Sequence, residues 1–257
     1  MEYFDDHSMI RRVHREKAVF LYGRRALLMQ AAHPLAFAGL MAHTGSMDQP
    51  YERLARTARV IDAVVFGPRA EADRLTRRVR AMHRRVRGVL TEPAGRFPAG
   101  TPYAADDPEL LLWVLATLAD SGRVVYERYV GRLGRSGRDA YWRDYRQVGR
   151  LFGLKASQMP DSLEDYVDGM LAGPDLAVTA VARELAVRII LHPPVPLPVR
   201  PVLELANFVT IGLLPARLRQ EYGLRWDPAR TLALAGGAAY AKRLVLPLLP
   251  ARLRYAS

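Results

Sequence analysis

His83 is the residue whose type and position most clearly suggest chemistry. Between Arg69 and Leu90 apolar residues recur every three or four positions, which predicts a helix with one buried face made of Leu75, Val79, Met82, Val86 and Leu90. His83 lies on that face, although the segment offers many solvent-facing positions that arginine occupies instead. A neutral imidazole in apolar surroundings is the commonest protein ligand for a metal or a haem iron. The alternative is a core histidine whose ring nitrogens bond backbone groups.

A second cluster lies on the preceding predicted helix. Arg53, Arg56 and Thr57 are three and four residues apart, so they share one face, and that face continues into the apolar residues Val60 and Val64. Two guanidinium groups and a hydroxyl beside an apolar stripe suit a pocket that holds an anionic group or polarises bound oxygen. A solvated, arginine-rich first turn is the alternative interpretation.

Two further histidines and one carboxylate stand where apolar residues would be expected. His33 precedes Pro34 and ends a helix, and His43 begins a loop; each either ties a helix end to a carbonyl or lines a cofactor pocket. Together with His83 they could also converge on a non-haem iron or zinc ion. Asp120 shares a face with apolar residues, so we expect it to be buried with an arginine or hydroxyl partner. We expect its role to be structural.

Four blocks of the sequence resemble one oxygenase family. They are RALLMQAAHPLAFAGLMAHTGSM (residues 25–47), RLART (53–57), VRAMHRRVRG (79–88) and YAADDPELLLWVLATLADS (103–121). The blocks are similar to the bacterial branch, largely without assigned function, of the family that joins the latex clearing protein, a rubber oxygenase, with the mycophenolic-acid-pathway oxygenase. The resemblance extends from about Glu16 to Arg254.

The resemblance implies an all-α fold with a globin-like helical core that holds a b-type haem. It further implies oxygenation of hydrophobic, often isoprenoid, substrates with dioxygen as co-substrate. By position, His83 would be the proximal iron ligand, and Arg53 and Thr57 would be the catalytic pair of the family's distal helix. Arg56, His33 and His43 would belong to the cofactor pocket.

Arg56 departs from the rubber enzymes, in which a lysine precedes the threonine and can cap the iron. A guanidinium stays protonated and is a poor ligand. We therefore expect an open or water-filled sixth position on the iron in this chain.

Composition restricts the function further. The chain of 257 residues is half hydrophobic and has a net charge of +12, almost all of it from arginine. The arginines are spread along the chain and no nucleic-acid-binding motif occurs, so we expect no nucleic-acid partner. A peripheral contact with an anionic membrane is a further expectation.

The absence of cysteine excludes disulfides and a thiolate-bound haem. No apolar stretch of signal-peptide length begins the chain, which predicts a cytoplasmic protein.

Helical patterns follow one another along the chain, with residues 1–15 as a tail and residues 16–257 as a single globular all-α domain of about ten helices. Asp106, with Glu109 three residues later, and Asp227 before Pro228 predict two helix starts. The predicted helices are Glu16–Ala32, Leu35–Ala42, Gln49–Phe66, Arg69–Leu90, Pro108–Val130, Arg138–Phe152, Ser162–Leu171, Asp175–Leu191, Val199–Leu214 and Pro228–Leu246. No segment is predicted to alternate as a strand.

The sequence therefore predicts a haem b-dependent oxidoreductase, an oxygenase that acts on a hydrophobic small molecule. Two alternatives remain open. One is a haem- or lipid-binding protein without turnover, and the other is a mononuclear non-haem metal enzyme that uses His33, His43 and His83.

Overall fold

Helix α6 (Pro108–Tyr129) is the centre of the structure, and its local sequence explains both its start and its burial. Asp107 precedes it in an extended conformation and accepts a hydrogen bond from the backbone N–H of Glu109 at 2.8 Å, with Pro108 at the first helical position. The sequence placed this cap at Asp106, which instead pairs with Arg87 on the surface. Trp113 is fully buried on α6, as are Ala116 and Ala119. The remaining helices pack around this apolar helix.

The computed structural model describes residues 1–42 and 50–256, and side chains for residues 1–41, 57–185 and 187–256. The first half contains α1 (Met9–His14), α2 (Tyr22–Ala31), α3 (Pro34–Ala42), α4 (Pro50–Phe66), α5 (Arg69–His83), the strands β1 (Arg87–Val89) and β2 (Pro102–Ala104), and α6. The second half contains α7 (Arg135–Phe152), α8 (Leu163–Ala172), α9 (Ala180–Ala186), α10 (Arg200–Leu213), α11 (Ala216–Glu221), α12 (Pro228–Tyr240), α13 (Leu246–Leu248) and α14 (Ala251–Arg254). Lys17–Leu21 and Leu197–Val199 are 3₁₀ segments, and Val187–Leu191 and Ala241–Val245 are π-helical turns.

The all-α prediction is confirmed, and most predicted helices are present within a few residues of their predicted bounds. α2 packs along α6 and forms the most extensive helix pair, while α7, α8, α1 and α12 also contact α6. Asp227 caps α12 as predicted, because its side chain accepts from the N–H of Arg230 at 2.8 Å. Where a helix is long and has a period of 3.6 residues, the sequence sufficed to place it.

The predicted helix Arg69–Leu90 is wrong in its last seven residues, about two turns. α5 ends at His83, and residues 87–89 pair antiparallel with residues 102–104, with Gly88 opposite Tyr103. From Arg85 to Leu90 the side chains alternate between exposed and buried or half-buried, which is the period of a strand. A Cβ on Gly88 would overlap the Tyr103 hydroxyl, so this pairing needs glycine. Because Val86 and Leu90 fit both periods, the apolar spacing alone did not distinguish helix from strand.

The N-terminal segment contains structure that the sequence analysis did not predict. Within residues 1–15, α1 packs against α7, α4 and α6, and Phe4, Ile10 and Val13 are buried in the core. The short helices α11 and α14 were also not predicted. Within the part of the chain that the structure describes, no helix is long and apolar enough to span a membrane.

Candidate functional site

His83 occupies the C-terminal residue of α5, not the middle of a buried face. Its side chain is half-buried and its Nδ1 atom is shielded from solvent, whereas the neighbouring Met82 is 54% exposed. The buried residues of α5 are Ala72 and Thr76, one turn apart. The predicted buried stripe through Met82 is therefore wrong, because the helix ends before Val86 and Leu90 can extend it. His83 lies where helix α5 meets the turn into β1.

Helix α4 carries the second predicted cluster. Its last turns are buried, with Val64 and Val65 in the core, while Thr57 is exposed. Arg53 and Arg56 precede Thr57 by four residues and one residue, and their side chains are outside the described residues. The C-terminal half of α4, which carries the predicted apolar stripe, thus packs into the core.

A helical hairpin relates the two clusters. α4 and α5 pack against each other and are joined only by Gly67 and Pro68. Arg53 lies 14 residues before Gly67, and His83 lies 15 residues after Pro68. In an αα-hairpin, residues equally far from the turn lie at a similar height. Arg53 in α4 and His83 in α5 therefore both lie towards the helix ends that are away from this turn.

Arg80 is a residue near this end of α5 that the sequence analysis missed. It precedes His83 by three residues, so the two side chains are neighbours on the surface of α5. The Nε atom of Arg80 is shielded from solvent and has no hydrogen-bond partner in the described part of the chain. A sheltered guanidinium N–H of this kind is suited to an anionic group. The spacing of three residues from His83 could have identified it.

His33 lies in a different neighbourhood. As predicted, it separates α2 from α3 just before Pro34, and its ring contacts Phe97 with 5.6 Å between ring centroids. Burial lowers the pKa of His33 to about 4, an effect that nearby Asp175 opposes, so the ring is neutral near pH 7. Its Nδ1 atom is buried and, among the described residues, has no hydrogen-bond partner.

The three-histidine alternative gains no support from the described residues. No three histidine, aspartate or glutamate side chains come together there in an arrangement that could hold a metal ion. His43, the third member of that set, lies outside the described residues.

Asp120 is buried and paired, as expected. Its carboxylate bonds Arg25 at 2.8 Å and Arg123 at 2.7 Å, and Arg25 also donates to Ser121 and to the carbonyl of Leu213. Burial by itself raises the pKa of Asp120, but the two guanidinium groups outweigh this effect and hold the pKa below its ordinary value. The network joins α2 to α6, and thereby two of the sequence blocks, so its role is structural.

His14 was interpreted as a residue of a polar tail, and that interpretation is wrong. It is buried in the core, and its Nε2 lies 2.8 Å from the hydroxyl of Tyr145 and 3.3 Å from that of Tyr141. Burial lowers the pKa of His14 to about 4. The apolar residues Ile10 and Val13, at positions i−4 and i−1, were the sequence signal that could have placed it in a helix with a buried side.

Comparisons with known proteins place the chain in a family. Two relatives are each described as an uncharacterised protein, one from Mycobacterium bovis and one from Mycobacterium tuberculosis. Each is 26% identical over 185 residues, covering 70% of this chain and 69% of the relative. No solved structure matches the chain significantly. Residues 11–243 match the family model described as "ER-bound oxygenase mpaB/B'/Rubber oxygenase, catalytic domain", which covers all four sequence blocks. The chain therefore belongs to the mpaB/rubber oxygenase catalytic-domain family.

Proposed function

We propose that this chain is a haem b-dependent oxygenase that uses dioxygen to oxidise a hydrophobic, isoprenoid or lipid-like small molecule, with His83 as the proximal iron ligand. The observation that carries the proposal is the α4–α5 hairpin. Arg53 and His83 both lie towards the ends of α4 and α5 that are away from the connecting turn, and the family of the chain is an oxygenase family.

The residues near this end of α5 fit a haem group. His83 offers an imidazole at a helix terminus with one ring nitrogen shielded from water, and the sequence has no cysteine that would compete as an axial ligand. A haem carries two propionate carboxylates, and the sheltered Nε–H of Arg80 would suit one of them. Arg80 and His83, one turn apart, would together hold the cofactor.

The remaining roles follow from charge and hydrogen-bonding capacity. When bound, the haem supplies the binding and activation of dioxygen. The permanent positive charge of Arg53 would stabilise negative charge that develops on oxygen, and the Thr57 hydroxyl would donate a hydrogen bond at the same place. Arg56 would leave the sixth iron position open, because a guanidinium does not give up its proton.

The experiment is a visible spectrum of protein produced with haem supply. We expect a Soret band in the wild type that is lost in His83→Ala and kept in His7→Ala, which removes an exposed histidine. Arg53→Ala should keep the band and slow the oxidation of any hydrophobic substrate that the wild type turns over. A His83→Ala protein with wild-type haem content would overturn the assignment of the ligand.

The same preparation distinguishes the metal alternative. Elemental analysis of a colourless protein that contains about one iron or zinc per chain would favour a non-haem site. In that case His33→Ala, which removes a buried imidazole with an unpartnered Nδ1 in the described structure, should release the metal.

A further inference from the structure

The C-terminal part of the chain exposes large apolar side chains to an unusual degree. In α12 only Leu234 and Ala238 are buried, while Leu232 is 74% exposed and Tyr240 is also exposed. Between Arg230 and Lys242 the sequence contains no charged residue. A helix that is apolar on nearly all sides is normally covered on more than one of them. Among the residues that the structure describes, only one side of α12 is covered.

Neighbouring elements extend this exposed surface. α10 packs against α12, and its Val202 and Leu205 are exposed and three residues apart, so they lie on one side of the helix. Phe20, on the 3₁₀ segment that contacts α10, is half exposed, and Leu248 on α13 is 81% exposed. We call this surface the C-terminal apolar face, defined by Phe20, Val202, Leu205, Leu232, Tyr240 and Leu248. Large exposed apolar side chains gathered on neighbouring elements are typical of an interaction site.

Basic residues predominate in the C-terminal part of the C-terminal apolar face, although Glu204 is exposed between Val202 and Leu205 and Asp227 is exposed at the start of α12. Residues 228–257 contain five basic residues and no acidic residue. Arg254 is used within the fold, where it pairs with Glu16 at 2.9 Å, whereas Arg243 and Arg252 are exposed. Both lie within a few residues of exposed leucines. Apolar side chains next to exposed cations are the combination by which peripheral proteins bind anionic lipid surfaces.

We propose that the C-terminal apolar face docks onto the surface of an anionic lipid bilayer. The apolar side chains enter the boundary between headgroups and acyl chains, and Arg243 and Arg252 pair with lipid phosphates. A second copy of the chain fits this surface less well, because a symmetric dimer would bring the same cations together and each chain has a net charge of +12. The docking does not depend on a bound haem.

The test uses the full chain and vesicle flotation at low and high salt. We expect binding to vesicles of phosphatidylcholine with phosphatidylglycerol, weaker binding to phosphatidylcholine alone, and a decrease as salt is raised. Leu232→Ser with Leu248→Ser should reduce binding at least tenfold. The matched control, Val89→Ser with Val181→Ser, removes two exposed apolar side chains from β1 and α9 and should bind like the wild type.

A pair of charge variants tests the electrostatic half of the proposal. Arg243→Gln with Arg252→Gln should weaken partition on the order of 20-fold. Arg77→Gln with Arg78→Gln has the same net charge but removes exposed arginines of α5, and it should bind nearly as well as the wild type. Equal losses in both variants would overturn the proposal. It would also be overturned by a wild type that stays off anionic vesicles and sediments as a dimer which the leucine changes dissociate.

Discussion

Arg25, which is buried between α2 and α6, and Arg80, near the end of α5 that is away from the α4–α5 turn, differ in how their guanidinium groups are hydrogen-bonded. Between α2 and α6, Asp120 has two cationic partners, and Arg25 donates to three separate oxygen acceptors. In α5, the sheltered Nε atom of Arg80 has no hydrogen-bond partner in the described part of the chain. A satisfied network holds helices together, whereas a sheltered donor without a partner is a place where a ligand would be stabilised. The contrast separates residues that maintain the fold from residues that would act on a bound group.

The largest expected effect is a loss of stability when the buried pair of Asp120 and Arg25 is broken. Asp120→Ala should lower the free energy of unfolding by about 3–5 kcal/mol, because it leaves the buried cation of Arg25 without its counter-charge. Chemical denaturation measures the loss. Glu71→Ala, which removes an exposed carboxylate 3.8 Å from Arg74, should leave stability nearly unchanged.

A double variant sharpens this prediction. Asp120→Leu with Arg25→Met removes both charges, so it should recover part of the stability that Asp120→Leu alone loses. Arg123 keeps Glu127 at 3.2 Å in that protein. A loss of stability in the double variant that equals or exceeds the sum of the two single losses would show that Asp120 and Arg25 do not stabilise each other.

Acid should destabilise the fold through His14. Its pKa is lowered to about 4 by burial, so the native state excludes a proton that the unfolded chain binds near the ordinary value of 6.5. This contribution to stability is complete above about pH 6.5 and is lost as the pH falls towards 4; at pH 5 the loss is about 2 kcal/mol. His33, whose pKa is also lowered to about 4, adds a loss in the same direction.

Denaturation curves at pH 7.5 and pH 5 test this. His14→Gln should show a smaller difference between the two pH values than the wild type, because glutamine can bond Tyr145 but does not titrate. His7→Gln changes an exposed histidine and should keep the wild-type difference. A His14→Gln protein as acid-sensitive as the wild type would place the titrating group elsewhere.

The sequence predicted the helices that have strong periodicity and missed what depends on tertiary contacts. α4 and α6 were placed within a residue or two, because their prolines and apolar spacing agree with one another, although the cap of α6 is Asp107 and not Asp106. The end of α5 was misplaced because Val86 and Leu90 satisfy two periods, and only the partner strand at Tyr103 selects one of them. The burial of His14 depends on Tyr141 and Tyr145, more than 120 residues away, so local pattern gave it little weight.

The candidate site shows the same limit. Spacing and resemblance predicted Arg53, Thr57 and His83 as site residues, and in the structure Arg53 and His83 lie towards the helix ends that are away from the α4–α5 turn. Spacing could not reveal that Thr57 is exposed. It also could not reveal that the Nε–H group of Arg80, three residues before His83, is shielded from solvent. Both facts depend on which side of each helix the rest of the fold covers.

The close packing of Gly122 against Tyr141 predicts a smaller loss of stability than the change of Asp120. Gly122 lies in α6, and a Cβ there would overlap the hydroxyl of Tyr141 and lie 3.6 Å from His14 Nε2. Gly122→Ala should therefore destabilise by about 1–3 kcal/mol, although alanine favours helix. Gly169→Ala is the matched control in α8, because its Cβ meets nothing within 4 Å, and it should stabilise by up to about 1 kcal/mol. Thermal unfolding of both variants gives opposite signs if the packing is as described.

The smallest effect on stability should come from a change of Arg80, whose Nε atom has no hydrogen-bond partner in the described part of the chain. Arg80→Gln removes a sheltered donor that has no hydrogen-bond partner in the described structure, so the free energy of unfolding should stay within about 0.5 kcal/mol of the wild type. Haemin affinity should nevertheless fall about tenfold, because a charge-assisted hydrogen bond to a carboxylate is lost. Titration of haem-free protein with haemin measures this, with Arg77→Gln, an exposed arginine of the same helix, as the control. A large loss of stability with unchanged haemin affinity would assign Arg80 to the fold, and would remove the contrast between the two regions on which its role at the site depends.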